Sequence, residues 1–396
     1  MKIFIFATIG YEDLYITLKL NGVRNKYLII LLLLLTSLSS LSVFAQKIEI
    51  GSCVTSDGGN YHGQMFRGKP NGKGKTVYKN KDVYEGEYMK GLRHGDGTYI
   101  FADGEKYVGQ WFQNQQHGMG TFYFSNGNRY EGLWYKDYQQ GQGTMFYYNG
   151  DKYIGNWEHD KRSGAGKYIF ANGASYDGMW ANDMKNGYGC FKWTDHSSFT
   201  GNWVNNMKEG KGIYIYSDGD KYDGEWKNDL QNGKGIYKFK DGEVYEGEYV
   251  DGQRTGQGIF QYKNGDQYTG HFLNGMKSGF GTMSWHNGDI YTGYWEKDLQ
   301  NGQGKLTKKN KDVYEGQFKN GEVEGLVIIH YVDGSKFKGN YHNGKRNGSA
   351  IEETANGVRF EGNYKDNQRD GKFIERDKNG KITAVGYYEN GKRHVN

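Results

Sequence analysis

The sequence predicts an all-β protein, built as an elongated single-layer antiparallel sheet of tandem β-hairpins. Glycine supplies 63 of the 396 residues and proline supplies one, which excludes collagen because collagen needs both. The chain also contains 35 Tyr, 20 Phe and 9 Trp residues, far more than a disordered chain carries. An aromatic residue recurs every 23 residues from Tyr61 onward, in 14 consecutive repeats without an insertion. Because proline deletes hydrogen bonds between strands, composition and period both favour a sheet.

The amino-terminal segment has the pattern of a secretory signal peptide. Two basic residues precede the apolar run LIILLLLL and small residues follow it, which is the order of a signal peptide. We expect cleavage between Ala45 and Gln46, so that residues 1–45 are removed, and an uncleaved membrane anchor is the alternative. Because the basic region is long, translation could start near Val23. We therefore expect the chain to be exported to the periplasm, placed at the cell surface or secreted.

The rest of the chain divides by its period. Residues 46–60 form a short amino-terminal segment, residues 61–382 the repeat array, and residues 383–396 a partial repeat that caps the carboxyl end. Each repeat is numbered from its first aromatic residue, which is position 1. Positions 3 and 12 are glycine in every repeat, and position 20 is Asn or Asp. A period this regular leaves no room for an inserted domain of another kind.

Each repeat is predicted to be one β-hairpin. Positions 1, 3 and 5 read aromatic, glycine, aromatic, as in Tyr107, Gly109 and Trp111, and this alternation places all three on one face of a first strand. A second strand follows a GxG sequence at positions 12 to 14. It ends at an Asn-Gly or Asp-Gly pair, which predicts a type I′ turn because that turn needs positive φ at both central residues. Loops of about six residues, such as Met89–Gly95, are expected to alternate with these tight turns.

The glycine between two aromatic residues allows a ring to lie across bare backbone. Repeated in register, these contacts would form an aromatic ladder, and burial of each ring would contribute on the order of 2 kcal/mol. With two strands per repeat and about 4.8 Å between strands, the sheet would be roughly 130 Å long. If its rings are open to solvent, the ladder is also the candidate interaction face. Its residues are Tyr107, Trp111, Tyr130, Trp134, Tyr153, Trp157, Tyr176, Trp180, Trp203, Tyr222, Trp226, Tyr291 and Trp295.

The pattern resembles the MORN (membrane occupation and recognition nexus) repeat, a 23-residue motif that reads YxGxW, then GxxHGxG, then a turn of the DG type. The match is close at Tyr107–Trp111 with His117–Gly120, and it covers about residues 61–394. The tail Asp377–His394 is similar to a shorter MORN variant of bacterial proteins. The resemblance implies a non-catalytic scaffold, sometimes dimeric, that binds proteins or membranes. The last three repeats depart from the motif, since the second glycine of GxG is replaced by Val327, Ala350 and Phe373.

The repeat pattern explains the histidines, paired carboxylates and glycine-rich segment without a catalytic or ligand-binding role. His94 and His117 occupy the same position of successive repeats, about 10 Å apart, so they cannot enclose one metal ion. Glu246 and Glu248 could share a strand face, as paired carboxylates do in glycosidases, but an ordinary polar face explains them better. The segment Gly72–Thr76 lacks the first glycine and the helix of a phosphate-binding loop. We therefore expect no catalytic residues, no cofactor and no bound metal.

The net charge argues against nucleic-acid binding, and the cysteine spacing argues against a disulfide. The formal net charge is +5, carried by interspersed acidic and basic residues, and this bias is too small to predict nucleic-acid binding. The two cysteines, Cys53 and Cys190, are separated by about five repeats. In a linear stack that distance is far beyond disulfide reach, so two unpaired thiols are expected.

We therefore expect an exported, non-catalytic scaffold that presents an extended repeat surface to an unidentified protein partner. Self-association into a homodimer is allowed, because an unpaired end strand is a template for another strand. One alternative is peripheral binding to an anionic membrane surface, for which the scattered Lys and Arg residues give little support. A second alternative is recognition of envelope glycans by the aromatic face, which requires rings that are open to solvent. No motif in the sequence identifies a particular ligand.

Overall fold

The computed structural model describes residues 48–389 and 391–395. The predicted signal peptide and the bond between Ala45 and Gln46 lie outside these residues. The described chain consists of β-strands joined by turns. Among these residues, no helix has the length and apolar character that crossing a bilayer requires. The described chain divides into two compact units, with the boundary between Tyr99 and Ile100.

The first unit contains strands that follow one another along the chain. They are β1 Glu49–Val54, β2 Asn60–Phe66, β3 Lys69–Val77, β4 Val83–Met89 and β5 Leu92–Ile100. β1 pairs antiparallel with β2, β2 with β3, and β3 with β4. The short segment before the first repeat thus supplies a strand that extends the first hairpin.

The second unit continues the same pattern. Its strands are β6 Lys106–Phe112, β7 Gln115–Tyr123, β8 Arg129–Tyr135, β9 Tyr138–Phe146, β10 Lys152–Glu158, β11 Lys161–Ile169, β12 Ser175–Ala181, β13 Met184–Lys192, β14 Ser198–Val204, β15 Met207–Ile215, β16 Lys221–Lys227, β17 Leu230–Lys238, β18 Val244–Val250, β19 Gln253–Gln261, β20 Gln267–Leu273, β21 Met276–Ser284, β22 Ile290–Glu296, β23 Leu299–Thr307, β24 Val313–Lys319, β25 Glu322–His330, β26 Lys336–His342, β27 Lys345–Glu353, β28 Arg359–Lys365, β29 Gln368–Arg376, β30 Ile382–Glu389 and β31 Lys392–Val395. From β6 to β31, each strand pairs antiparallel with the next. The predicted all-β class and the run of tandem hairpins are confirmed.

The register aligns equivalent repeat positions across the strands. Within the hairpin β6–β7, Tyr107 is opposite Phe122 and Gly109 is opposite Gly120. Between β7 and β8, Gly120 is opposite Gly132. Positions 3 and 14 therefore form a column of glycine that crosses the strands, and a column of aromatic residues runs beside it.

The two strands of each hairpin are joined by a two-residue turn, so the predicted six-residue loops are wrong. Between β4 and β5, the connection is Lys90 and Gly91 alone. Between β8 and β9, Lys136 and Asp137 have φ of 50° and 69°, which are the positive values of a type I′ turn. The Asp137 carboxylate also accepts the N–H of Gln116 in the preceding repeat at 2.7 Å. The residues predicted as a loop, such as Met89–Gly95, are therefore the ends of two strands and the two-residue turn between them.

The Asn-Gly turn connects successive hairpins, and the prediction that it is type I′ is also wrong. In the turn after β7, Gly127 has a φ of 84° whereas Asn126 stays outside the left-handed region. The Gly127 N–H donates to the Phe124 carbonyl at 3.0 Å, and the Phe124 N–H donates to the Asn128 carbonyl at 2.9 Å. This is the pattern of a type I turn followed by a glycine bulge. The Asn126 side chain accepts the Asn128 N–H at 3.0 Å, and this local bond favours the observed geometry.

The two glycines of the GxG sequence have different physical roles. The pairing of β6 with β7 shifts register between Gly109 and Trp111 because β7 bulges there. Gly118 lies in the bulge with a φ of 63°, which glycine adopts without strain. Gly120 is needed for space, since a Cβ at this position would collide with the Tyr107 ring.

In the three carboxyl-terminal repeats, larger side chains replace the glycine at position 14. Position 14 of these repeats is buried in each case, and it holds Val327, Ala350 and Phe373. Position 1 changes with it: Tyr314 is half-buried, and the next two repeats carry Phe337 and Phe360 instead of tyrosine. A phenylalanine lacks the hydroxyl that would meet a side chain at position 14. These residues form one buried cluster together with Ile329 and Tyr341.

We predict that Gly120→Ala loses about 2 kcal/mol of unfolding free energy, because forcing an extra methyl into a packed site costs about 1–3 kcal/mol. The added methyl would meet the Tyr107 ring. Urea unfolding followed by tryptophan fluorescence measures the loss.

Two further variants identify the cause of that loss. Tyr107→Phe removes the atom nearest to the added methyl, so the double variant should recover part of the stability. Thr121→Ser changes the next residue, whose side chain faces the other side of the sheet, and should stay within about 0.5 kcal/mol of the wild type. Equal stability of Gly120→Ala and the wild type would contradict the contact between ring and glycine.

Candidate interaction surfaces

The aromatic face of the sheet is a packed layer. The Tyr107 ring is fully buried and lies across Gly109 and Gly120. Its hydroxyl donates to the backbone carbonyl of Gln110 at 2.9 Å, which explains why tyrosine fills most of these positions. Burial raises the pKa of the Tyr107 phenol well above its usual range, so the hydroxyl stays protonated and remains a donor at neutral pH.

The side chain at position 5, a tryptophan in seven of the repeats, packs against its own repeat and the one before it. The Trp134 ring meets Tyr130 of its own repeat edge-to-face at 5.2 Å and Tyr107 of the preceding repeat at 5.3 Å. Its indole N–H donates to the carbonyl of Gly120 at 3.3 Å, and the same bond recurs in other repeats. Such aromatic pairs contribute about 0.5–1.5 kcal/mol beyond their burial. The ladder therefore carries much of the contact between neighbouring repeats.

The candidate interaction face named from the sequence is this packed layer. All of its members are at most 7% exposed, so a ligand that approaches from solvent meets no open ring among them. The glycan alternative required open rings, and these side chains do not supply them. The members are Tyr107, Trp111, Tyr130, Trp134, Tyr153, Trp157, Tyr176, Trp180, Trp203, Tyr222, Trp226, Tyr291 and Trp295.

Cations lie over four of the ladder tryptophans, Trp180, Trp203, Trp226 and Trp295, and the sequence pattern had not been interpreted in this way. Lys185, at position 10, places its Nζ 3.8 Å from the centroid of the Trp203 ring in the next repeat. Lys208 lies over Trp226 in the same way at 4.3 Å. Contacts of this kind contribute about 0.5–2 kcal/mol. The signal was present in the sequence, because position 10 is Lys, Arg or Gln in all but two of the repeats.

The charged neighbours of these cations differ between repeats. Burial lowers the pKa of Lys185 to about 8. Burial also lowers the pKa of Lys208, and the Asp229 carboxylate opposes that shift. The backbone N–H of Lys185 donates to the Asn206 side chain at 2.8 Å, and that of Lys208 donates to Asp229 at 2.8 Å. At equivalent positions, Lys185 thus has a neutral neighbour where Lys208 has an anion.

The opposite side of the sheet carries positions 2, 4, 13 and 15, and we name it the outer face. Three aromatic side chains are exposed on it. Tyr188 is 62% exposed and lies opposite the polar Asn202. The other two are Phe280, which is 56% exposed, and Tyr294, which is 50% exposed. They are opposite each other on β21 and β22, with ring centroids 5.5 Å apart in an edge-to-face arrangement. The repeat pattern does not require rings at these positions. Exposed aromatic residues are enriched at protein interfaces, so this pair marks a candidate contact.

A shallow groove runs along the outer face from β15 to β20. Its volume is about 640 Å³, and its floor includes glycine backbone from four strands. The floor is bare because the Cβ side of those glycines faces the tyrosines. The first wall contains Asp223, Ile236, Glu246 and Ile259, and the second wall alternates lysine with glutamate. The groove therefore combines exposed backbone, apolar side chains and carboxylates.

The two-residue turns of the second unit line one edge of its strands, and we name this row the turn edge. Positions 6 and 9 flank the turns, half of the residues there are apolar, and successive turns are about 10 Å apart. Tyr135 and Tyr138 flank one turn, and Leu273 and Met276 flank another. These four are exposed, as are Phe112, Val204, Met207, Leu230, Val250 and Leu299.

The histidines and cysteines do not assemble into a site within the part of the chain that the structure describes. No group of three or more His, Cys, Asp or Glu side chains there could hold a metal ion. His117 packs against the rings of Phe112 and Tyr135, with centroids 5.5 and 5.3 Å away. Cys53 and Cys190 are half-buried free thiols.

We predict that Asn206→Asp raises the pKa of Lys185, because it places a carboxylate where Lys208 already has one. A buried cation with a lowered pKa destabilises the fold below about pH 8, and this cost fades as the pH rises toward the pKa of unfolded lysine. The pH dependence of Lys185 labelling by an amine reagent, followed by mass spectrometry of its peptide, measures the shift. Asn205→Asp, at the other residue of the turn, is the control. The same labelling profile in both variants would contradict the assigned contact.

Comparison with solved structures finds domains with low similarity to this chain. The TCP10 domain of CPAP from Danio rerio is 11% identical, with 56% of this chain and 98% of that chain covered and a TM-score of 0.30. The SAS-4 (dCPAP) TCP domain of Drosophila melanogaster, solved with a proline-rich motif of Ana2 (dSTIL), is 15% identical, with 39% and 85% covered and a TM-score of 0.27. Scores this low carry no argument about function.

No curated protein matches the chain at a significant level. A family model does match it. The MORN repeat model matches 14 consecutive segments, from residues 61–83 to residues 360–372, and their boundaries coincide with the period that begins at Tyr61. Together these segments cover more than half of the chain, and each begins with an aromatic residue and has glycine at positions 3 and 12. The chain therefore belongs to the MORN repeat family.

Proposed function

We propose that this protein is a non-catalytic, exported scaffold whose outer face binds a protein partner. MORN repeats are modules that interact with proteins or membranes, and 14 of them follow one another here. The observation that carries the proposal is the exposed Phe280–Tyr294 pair on the same face as the glycine-floored groove. Exposed aromatic side chains are favoured contact residues because they bury a large area at low entropic cost.

The two faces of the sheet differ in how much their residues vary between repeats, and this difference supports the proposal. The aromatic face holds the residues that recur in every repeat, and their rings are buried against glycine and one another. The outer face varies from repeat to repeat at positions 4 and 13, for example Gln110 and Met119 in one repeat and Glu225 and Lys234 in another. A surface that varies without disturbing the packed layer is suited to a specific partner.

Export and self-association are parts of the same proposal. The signal-peptide pattern that ends at Ala45 supports export. Among the described residues, β31 pairs with β30, and an end strand can receive a strand from a second copy. A solution mass equal to one chain would remove self-association from the proposal.

A second candidate function is peripheral binding to a membrane, and the turn edge favours it. Its exposed apolar side chains project from turns about 10 Å apart, so several could enter a lipid interface together. The turn residues of this edge include two lysines, Lys136 and Lys297, and seven aspartates. The apolar side chains rather than the charge therefore support this candidate.

The immobilised chain should retain a specific protein from an envelope extract, and the Phe280→Ser/Tyr294→Ser variant should retain at least about tenfold less, because central aromatic contacts contribute about 2 kcal/mol or more each. Tyr148→Ser is the control, since it removes an exposed ring from a turn. Equal retention by all three proteins, or no specific retention by the wild type, would contradict the proposal.

Vesicles that contain phosphatidylserine should carry the wild-type chain in a flotation assay at low salt, and Leu273→Gln/Met276→Gln should reduce the bound fraction by at least half. Ile215→Gln/Ile290→Gln removes two exposed apolar residues that lie away from the turn edge, and it should bind as the wild type does. Failure of the wild type to float would remove this candidate.

A further inference from the structure

The spacing of the repeats along the groove matches the pitch of a polyproline II helix. Two strand spacings of about 4.8 Å advance one repeat by about 9.6 Å. Three residues of polyproline II complete one turn and advance about 9.3 Å. A chain in this conformation that lies along the groove, across the strands, would therefore present the same side to each repeat. An extended β-strand repeats its side-chain direction every two residues, or about 6.6 Å, and would lose the register.

The first wall of the groove alternates apolar side chains with carboxylates. Ile236 is opposite Glu246 across one strand pair, and Glu246 is opposite Ile259 across the next. The exposed Glu246 side chain thus lies between two isoleucines. Asp223 occupies the same position one repeat earlier, where its carboxylate is 3.4 Å from the half-buried Lys221. One repeat therefore separates two carboxylates with apolar surface between them.

The second wall is balanced in charge. Lys211 is opposite Glu225, and Lys234 is opposite Glu248, so each lysine has a glutamate as its cross-strand neighbour. The residues that line the groove include four carboxylates and two ammonium groups, and Lys221 beside Asp223 adds a third ammonium group, which leaves one negative charge. The groove is therefore complementary to a basic ligand.

The exposed aromatic pair extends the same surface. Phe280 and Tyr294 occupy positions 13 and 4, the positions of the second wall, on β21 and β22. These strands lie three and four spacings beyond β18, or about 14–19 Å along the groove direction. Aromatic rings on an exposed surface are the usual contacts for the proline rings of a polyproline II segment.

We propose that this groove binds a basic, proline-rich segment of a protein partner in the polyproline II conformation. Lysine or arginine at every third residue would face Asp223 and Glu246, and prolines would pack on the isoleucines and on the exposed aromatic pair. This inference rests on the proposed function and names the kind of segment that the outer face receives. A 12-residue segment is about 37 Å long, enough to reach from Asp223 to Tyr294, six strand spacings or about 29 Å apart.

The test compares two fluorescent peptides that have the same composition. One is four repeats of Lys-Pro-Pro, and the other has two lysines at each end of eight prolines. Fluorescence anisotropy with the full chain should give at least about fivefold tighter binding of the first peptide, because its lysines alone match the repeat spacing. Asp223→Asn/Glu246→Gln should remove that preference.

The matched control changes the same repeat position elsewhere. Glu131 and Asp177 also lie at position 2, and their carboxylates are within 2.9 Å of Arg129 and 3.8 Å of Lys167. Glu131→Gln/Asp177→Asn should leave the fivefold preference unchanged. Equal binding of the two peptides, an equal effect of the two double variants, or no binding of either peptide would overturn the inference. Retention of a partner that depends on Phe280 and Tyr294 but is not displaced by the first peptide would overturn it while the proposed function stands.

Discussion

The contact between a tyrosine ring and a pair of bare glycines is the interaction on which the rest of this structure depends. Tyr107 can lie flat on the sheet because Gly109 and Gly120 are opposite each other and a Cβ on Gly120 would collide with the ring. The flat ring leaves room for a tryptophan on either side, and this arrangement closes the layer without a second sheet or a helix among the described residues. The carboxyl-terminal repeats show the same constraint in another form, since a larger residue at position 14 accompanies phenylalanine or the half-buried Tyr314 at position 1.

Both ends of the strands lock each repeat to its neighbour, and this sets which residues are free to vary. At the two-residue turns, the Asp137 carboxylate accepts the N–H of Gln116 from the preceding repeat. At the Asn-Gly turns, the Asn128 side chain accepts the N–H of Tyr148 from the following repeat at 2.8 Å. The recurring residues of the motif therefore form the turns and the aromatic ladder. The outer face is left to variable residues, which is why the candidate contacts lie there.

Much of the fold could be predicted from the sequence because the period fixes it. The 23-residue spacing gave the hairpins, their strand faces and the limits of the repeats. The turns were assigned to the wrong ends because Asn-Gly usually forms a type I′ turn, whereas here the Asn126 side chain holds a type I turn and the bulge at Gly118 extends the second strand. The site was harder to predict. The Tyr and Trp residues are conspicuous in the sequence, but burial removes them from solvent, and the Phe280–Tyr294 pair is recognised only when β21 and β22 are placed side by side.

A spectrophotometric titration of the tyrosines, read beside circular dichroism, tests the ring-on-glycine contact most directly. Burial raises the pKa of Tyr61, Tyr245 and Tyr291 to about 12, so the neutral phenol is favoured in the folded state. The stability that this supplies is fully present below the unfolded pKa near 10 and is lost as the pH rises through the folded value. The account predicts a fraction of tyrosines that ionises together with unfolding, well above pH 10. Ionisation of all tyrosines near pH 10 in a chain that remains folded would contradict it.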